Sequence, residues 1–324
     1  MRRSGAIVLA LLVLGVAGCA PRSSPEAGSS PAGSDSPDLP SGWRWEYFGG
    51  VQAGVPGEWR WDNGTQRLHQ WCVPDKAPGP AVGRPGVSTL VGCPVGGDPA
   101  PGTLVAKTGS LLAFDWTTEP DGKAEAGDQT LVRLDRVQVT VNAPADLRDR
   151  IVATIRRVTT DSAGCPTTHP VSERPQQRPA KPLDVTKLRD VTSVSACKYL
   201  LARDFLHDPL RLLAALRLDG SAAAEAIREV GRAPIGGGPD SPGDCTAEYS
   251  YGDDAIVLRV RSAAGVSEIV LRYSGCDHNG FDDGVHVRAL TAAAVAPFIA
   301  GPNAVFSFSG AAKRPILRPE PSAS

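Results

Sequence analysis

Alternating apolar and polar side chains predict an antiparallel sheet in the C-terminal part of the chain. Residues 255–261 and 267–273 alternate most clearly, a pattern typical of strands with one buried face. Residues 222–230 instead have the apolar spacing of a helix. The predicted strands of this part are residues 191–200, 212–218, 245–251, 255–261, 267–273 and 304–308. We therefore expect an antiparallel sheet with one or two helices.

The N-terminal part has mostly strand patterns and ends in one helical pattern. Gly49-Gly50 separates the aromatic run 43–48 from the apolar run 51–55, as in a hairpin. Residues 130–141 alternate throughout and predict one long strand. The helical pattern consists of Leu147, Ile151, Ile155 and Val158. We expect an α+β protein of two small disulfide-stapled domains, the first mostly β with a closing helix.

Shifts in composition divide the chain into six segments. Residues 20–41 are almost entirely Pro, Ser, Gly, Ala and acidic residues, which cannot bury enough apolar surface to fold. Residues 166–184 are rich in proline and predict an extended linker. The predicted segments are a signal peptide (1–18), an acylated Cys with a disordered tether (19–41), an N-terminal β-rich domain (42–165), a Pro-rich linker (166–184), a C-terminal α+β domain (185–309) and a disordered tail (310–324).

The first nineteen residues resemble the signal and lipobox of bacterial lipoproteins. Arg2 and Arg3 precede an apolar run from Ala6 to Val16, and small residues come directly before Cys19. The resemblance implies cleavage before Cys19, its acylation with fatty acids such as palmitate, and anchoring at the outer face of the cytoplasmic membrane. A membrane-spanning helix is the alternative. However, the thirteen residues 6–18 at ~1.5 Å each cover about 20 Å of a hydrocarbon core ~30 Å thick.

Charge does not indicate a nucleic-acid surface. The chain has 34 basic and 35 acidic residues. Cleavage of the signal would remove Arg2 and Arg3 and no acidic residue, which leaves a net charge of −3. Because neither sign is clustered, we expect no nucleic-acid partner. The expected partners are the membrane, through the lipid anchor, and an envelope protein or a glycan.

Export makes the cysteines after Cys19 candidates for disulfides. They are Cys72, Cys93, Cys165, Cys197, Cys245 and Cys276. The first two bracket a Gly- and Pro-rich loop, where a disulfide would offset a missing core. Because each predicted domain holds an odd number, either one bridge joins the two domains or some thiols stay unpaired. We expect the pairs Cys72–Cys93, Cys197–Cys245 and Cys165–Cys276.

The densest polar cluster lies in residues 276–286. Its oxygen ligands would suit Ca²⁺, the only cofactor that the sequence suggests, and they are Asp277, Asn279, Asp282 and Asp283. The EF-hand pattern is not met, because Phe281 occupies a position that requires an acid or an amide. The alternative is a tight loop in which Asn279-Gly280 and Asp283-Gly284 supply the turns. We favour the turn interpretation.

The tryptophans are concentrated near the start of the predicted N-terminal domain. Those in the cluster are Trp43, Trp45, Trp59, Trp61 and Trp71. Flat rings stack on sugar faces, so one hypothesis is a platform for glycan or peptidoglycan. The alternative is that alternate positions of a strand bring the rings to one face, where they fill a small core. We favour the core, since strand periodicity already explains the spacing.

Residues 190–310 resemble a domain of actinobacterial exported proteins and lipoproteins. The likeness rests on RYSGCDHNGFDDGVHVRALT at 272–291, VSACKY at 194–199 and GGGPDSPGDC at 236–245. It implies a fold shared among envelope proteins and brings no assigned activity or site.

Together these observations favour a lipid-anchored envelope protein with a non-catalytic binding or scaffolding role. One alternative is an exported hydrolase or metal-binding protein that uses residues 277–286, with His278 or His286 as the acid–base group. The other is glycan binding through the tryptophan cluster. The enzyme hypothesis requires both histidines and the acidic residues of the loop to meet on one concave surface.

We expect the substitution Cys19→Ala to release the protein from the membrane fraction, because it removes the thiol that carries the lipid. Fractionation of cells that express either form, followed by immunoblotting, tests this. A Cys19→Ala protein that stays with the membrane would contradict the lipoprotein interpretation.

Overall fold

A computed structural model describes residues 38–61, 65–67, 70–73, 80–85, 105–106, 110–201, 212–305 and 316. The signal peptide, Cys19 and most of the predicted tether and tail lie outside these ranges. The fold is α+β, with 19% helix and 38% strand, and the predicted fold class is confirmed. Within the described ranges, no helix has the length and apolar character needed to cross a bilayer.

The structure contains eighteen strands and four α-helices among the described residues. The strands are β1 Trp43–Phe48, β2 Val51–Pro56, β3 Arg60–Trp61, β4 Thr65–Arg67, β5 Gln70–Val73, β6 Ala81–Gly83, β7 Val105–Ala106, β8 Leu111–Trp116, β9 Gly122–Ala126, β10 Gln129–Leu134, β11 Val137–Asn142, β12 Arg156–Arg157, β13 Ser193–Leu200, β14 Leu212–Asp219, β15 Asp254–Ser262, β16 Gly265–Arg272, β17 Gly280–Asp282 and β18 Val287–Arg288. The helices are α1 Ala145–Val152, α2 Pro170–Glu173, α3 Gly220–Arg232 and α4 Ala292–Val295.

Two six-stranded sheets dominate the fold. The N-terminal sheet has the order β3-β6-β8-β11-β10-β9, and the C-terminal sheet has the order β14-β13-β15-β16-β17-β18. Every neighbouring pair of the C-terminal sheet is antiparallel, as predicted. Two three-stranded sheets, β1-β2-β12 and β4-β5-β7, complete the architecture.

The C-terminal sheet is covered on both faces, which explains its long apolar runs. On one face, Ala196 and Leu258 belong to a buried cluster that includes residues of α3 and α4. On the other face, Cys197 and Tyr199 belong to a second cluster that includes Tyr47 of β1. A backbone hydrogen bond from Gly49 to the Leu212 carbonyl (3.0 Å) also joins the two halves of the chain.

The described residues, from Asp38 onward, belong to one compact unit. Within it, the predicted linker, residues 166–184, contains α2, and Val171 of this helix is buried against the C-terminal sheet. The division into two domains, with its boundaries, stays a prediction.

Two strand predictions were wrong. Residues 130–141 form the hairpin β10–β11, which turns at Asp135 and Arg136 with φ values of 49° and 68°. This turn lacks the Gly or Asn that usually marks two successive positive φ values. Residues 245–251 form turns instead of a strand, because their carbonyls bond locally and to the backbone N–H groups of Cys276 and Asp277.

The disulfides are Cys165–Cys197 and Cys245–Cys276, with Cα atoms 5.6 Å and 5.5 Å apart. The predicted pairs Cys197–Cys245 and Cys165–Cys276 were therefore wrong. The reason is that the tight turn after β12 brings Cys165 onto the face of the C-terminal sheet that carries Cys197. The predicted pair Cys72–Cys93 lies outside the residues whose side chains the structure describes.

Asp161 shapes the turn that delivers Cys165 to the sheet. Its carboxylate accepts a hydrogen bond from the Cys165 N–H (2.7 Å), and its own N–H donates to the Cys165 carbonyl (2.9 Å). Burial raises the pKa of Asp161 to about 6, although N–H groups of the turn oppose that rise. The carboxylate therefore serves the backbone of this turn at a cost in desolvation.

We expect non-reducing peptide mapping of the protein to recover peptides that join Cys165 to Cys197 and Cys245 to Cys276. The double variant Cys165→Ala/Cys197→Ala should lower the free energy of unfolding by about 2–4 kcal/mol, because the unfolded chain loses a cross-link. Urea unfolding measures that change. Recovery of peptides that join Cys197 to Cys245 would contradict the structure.

Candidate ligand-binding cleft

A cleft of about 390 Å³ lies where the ends of β16 and β17 meet three loops. We call it the cleft throughout. The described residues that line it are Gln176, Arg178, Gly236, Gly237, Asp240, Tyr251, Arg272, Asp277, His278, Asn279, Asp282 and Val287. They come from the predicted linker, from the segment between α3 and β15, from the predicted metal loop, and from the strands β16 and β18.

The carboxylate of Asp282 forms the centre of the cleft wall. Arg178 donates to it from Nε (3.0 and 3.2 Å) and from Nη2 (2.7 Å). Arg272 places Nη1 3.5 Å from the same carboxylate and donates from its other nitrogens to the carbonyls of Pro175 (3.0 Å) and Gln177 (2.6 Å). Two guanidinium groups therefore share one buried carboxylate and tie residues 175–178 to the sheet.

This arrangement controls the protonation of Asp282. Burial opposes ionisation, but hydrogen bonds from Arg178 and the Gly284 N–H, together with the charges of Arg178 and Arg272, outweigh it. The pKa of Asp282 therefore lies below its ordinary value. The hydrogen bond with Asp282 likewise raises the pKa of Arg178, whereas burial lowers that of Arg272.

Asn279 supplies a buried amide to the cleft. Asn279 is only 1% exposed. The Nδ2 group donates to Asp240 Oδ1 (2.5 Å), the Gly275 carbonyl (3.0 Å) and the Pro239 carbonyl (3.3 Å). The Oδ1 atom has no hydrogen-bond partner among the described residues. Asn279, which lines the cleft, thus has a buried acceptor without a partner in the described part of the chain.

An aromatic pair lies beside this amide. The rings of Tyr251 and His278 stack with centroids 4.5 Å apart and planes 14° from parallel. The Arg272 guanidinium lies 5.6 Å from the Tyr251 centroid. The disulfide Cys245–Cys276 joins the two loops that carry these rings. The aromatic wall is therefore built by contacts between distant segments of the chain.

The structure divides the residues that were predicted as calcium ligands. Asp277, Asn279 and Asp282 line the cleft, whereas Asp283 and His286 are not among the described lining residues. Asp283 instead accepts hydrogen bonds from the N–H groups of Val185 (3.0 Å), Val285 (2.9 Å) and His286 (2.6 Å). In the described part of the chain, no three His, Cys, Asp or Glu side chains form a group that could hold a metal ion.

The loop geometry thus follows the turn interpretation. His278 has φ 58° and Gly280 has φ 140°, so the chain reverses tightly around Asn279. Asp277 accepts a bond from the His278 N–H (2.7 Å), which is a local turn contact. The enzyme hypothesis requires the two histidines and the acidic residues of the loop to meet on one surface. The structure does not bring them together in this way, because Asp283 and His286 are not among the described lining residues of the cleft.

The tryptophan cluster lies elsewhere, around β1 and β3. Trp59 is 2% exposed and belongs to the N-terminal core. Three half-buried rings each have a guanidinium over one face, in the pairs Trp43 with Arg150 (4.8 Å), Trp45 with Arg156 (4.6 Å) and Trp61 with Arg44 (4.1 Å). The side chain of Trp71 lies outside the description. The glycan platform stays a prediction, with no fully exposed ring among the four described members.

Several cleft residues escaped the sequence analysis. Arg178 had no recognisable motif, and Tyr251 lies in a segment that was predicted as a strand. Arg272 begins the stretch 272–291 that carried the family resemblance, but the resemblance gave it no role. Asp240 and Asn279 both lie in stretches that carried the family resemblance, at 236–245 and 272–291. Their place in these two stretches was the one signal in the sequence that could have linked Asp240 with Asn279.

We expect Asp282→Asn to lower the free energy of unfolding at pH 7 by about 2–3 kcal/mol, because it leaves two guanidinium groups without their carboxylate. The matched control is Asp219→Asn, which removes an exposed partner of Arg217 and should cost within about 0.5 kcal/mol.

The loss in free energy of unfolding caused by Asp282→Asn should depend on pH. Since the fold lowers the pKa of Asp282, its contribution is present above about pH 4 and is lost as the pH falls through the lowered pKa. Urea unfolding of both proteins from pH 7 to pH 3 measures this. If Asp282→Asn lowered the free energy of unfolding as much at pH 3 as at pH 7, the ionised pair would be contradicted.

No protein-family model matches the chain, and no curated protein or solved structure is significantly similar to it.

Proposed function

We propose that the protein is a lipid-anchored binding module of the cell envelope and that the cleft is its ligand site. The observation that carries this proposal is the unpartnered Oδ1 of Asn279 in the cleft. A buried polar atom without a partner costs about 1–3 kcal/mol. A ligand with an N–H or O–H group would remove that cost on binding.

The lining favours binding over nucleophilic hydrolysis. None of the described lining residues is Ser, Thr or Cys, the usual nucleophiles. Asp282 is already engaged by two guanidinium groups, and Asp240 by the amide of Asn279. His278 Nε2 lies 3.7 Å from Asp277 Oδ2, too far for the hydrogen bond of a catalytic dyad. Fixed ion pairs of this kind hold a shape, as a binding site requires.

The envelope location rests on independent observations. Two disulfides are typical of proteins outside the cytoplasm. The signal and Cys19 resemble those of exported lipoproteins, and the tether after Cys19 gives a typical reach of about 25 Å. The cleft would therefore be displayed near the outer face of the cytoplasmic membrane, within reach of envelope components.

Hydrogen–deuterium exchange of the full chain in detergent tests this function. The probe is the low-molecular-weight fraction released from the envelope of the cells that produce the protein. We expect exchange in residues 236–240 and 275–284 to slow at least tenfold, while that of 122–134 stays unchanged. The reason is that a ligand stabilises the bound loops by mass action.

Matched variants make the result specific to the cleft. Arg178→Gln should abolish the protection. Arg217→Gln should keep it, because Arg217 forms a similar exposed pair with Asp219 elsewhere in the sheet. Unchanged exchange in the cleft, or equal slowing in all three segments, would overturn the proposal.

A further inference from the structure

We infer that the cleft binds an uncharged, polyhydroxylated ligand, namely a mono- or disaccharide unit. This inference rests on the proposed function and adds the chemical class of the ligand. It moves the glycan hypothesis from the tryptophan cluster to a different part of the molecule.

The charges of the cleft argue against an ionic ligand. Its described lining has two guanidinium groups, three carboxylates and one histidine, and these are Arg178, Arg272, Asp240, Asp277, Asp282 and His278. With the histidine counted as neutral, the formal charge is −1, which does not favour an anion. A cation would have to compete with the guanidinium groups for Asp282, since both already pair with it. A ligand without charge disturbs neither pair.

The remaining hydrogen-bonding groups suit hydroxyls. Asn279 Oδ1 needs a donor. Arg178 uses Nε and Nη2 on Asp282 and is half-exposed, which leaves the N–H groups of Nη1 to donate. A hydroxyl both donates and accepts, so a ligand with several of them can satisfy both groups at once. Saccharides are the common biological ligands of that kind.

The aromatic wall and the size agree with a sugar ring. The stacked pair of Tyr251 and His278 is an apolar surface beside polar groups, and the His278 side chain is 51% exposed. The C–H face of a pyranose can pack on such a ring while its hydroxyls reach the polar side. The volume of about 390 Å³ is at the small end of the ~300–1,000 Å³ range of ligand pockets, which suits a short saccharide.

Titration calorimetry of the full chain in detergent tests the ligand class. The neutral probes are glucose, galactose, mannose, arabinose, N-acetylglucosamine and trehalose. Glucuronate and glucosamine are the matched charged probes, because they share the ring of glucose and differ in charge. We expect at least one neutral sugar to bind at least tenfold more tightly than either charged sugar.

The same sugar should slow exchange in residues 236–240 and 275–284 of the wild-type protein. Arg178→Gln should weaken its binding about tenfold, whereas Arg217→Gln should change it by less than twofold. Because Arg178→Gln also loosens the pair with Asp282, the exchange data on the wild-type protein locate the site independently. Neutral glycan fragments from the envelope are tested in the same way as the pure neutral sugars. Whichever of the two sets binds more tightly identifies the source of the ligand, and either result supports the inference.

Three outcomes would overturn the inference. Preferential binding of a charged sugar, or no binding of any neutral sugar or fragment, would exclude the saccharide class. If the low-molecular-weight envelope fraction still protected the cleft, the proposed function would stand. If it did not, both the proposed function and the saccharide inference would fail. Binding of a neutral sugar that protects residues 43–61 and not the cleft would place the site on the tryptophan cluster instead.

Discussion

The cleft depends on the ion pairs that the buried carboxylate of Asp282 forms with two guanidinium groups. The carboxylate holds Arg178, from a segment more than one hundred residues earlier in the chain, against Arg272 of β16. Arg272 in turn binds the carbonyls of Pro175 and Gln177, so one carboxylate positions a whole strap of backbone. A lone charge in such a place would be costly, and the shared pairing offsets that cost. The result is a rigid polar wall.

Covalent and apolar contacts hold the surroundings of that wall. The Cys245–Cys276 disulfide fixes the loop of Tyr251 to the loop of His278. Beneath them, the C-terminal sheet is covered on one face by α3 and α4 and on the other by Tyr47, Cys165 and Val171. Preorganisation of this kind lowers the entropy that a ligand must lose on binding. The disulfides also agree with the proposed export, because they are typical of oxidising compartments.

Local patterns predicted the elements that local forces determine. The spacing within 222–230 and the alternation within 255–261 and 267–273 correspond to α3, β15 and β16, because periodicity reflects one buried face. The turn at Asp135 and Arg136 could not be predicted, since Arg136 stands where such a turn usually has Gly.

The candidate site was harder to predict than the fold. Its polar loop was visible as a run of Asp, Asn and His, and the Asn-Gly and Asp-Gly steps favoured a turn over a metal site. Asp282 meets Arg178 and Asn279 meets Asp240 only after the sheet has formed, so no spacing in the sequence marks the cleft. The disulfide pairing failed for the same reason, because it depends on which segments the sheet brings together.

The most direct test of the central claim, that the cleft binds a neutral saccharide, is a crystal structure of the full chain grown with the tightest-binding neutral sugar. We predict a sugar hydroxyl within hydrogen-bond distance of Asn279 Oδ1, with Arg178 still paired to Asp282. A sugar stacked on Trp43 or Trp45, with none in the cleft, would contradict it.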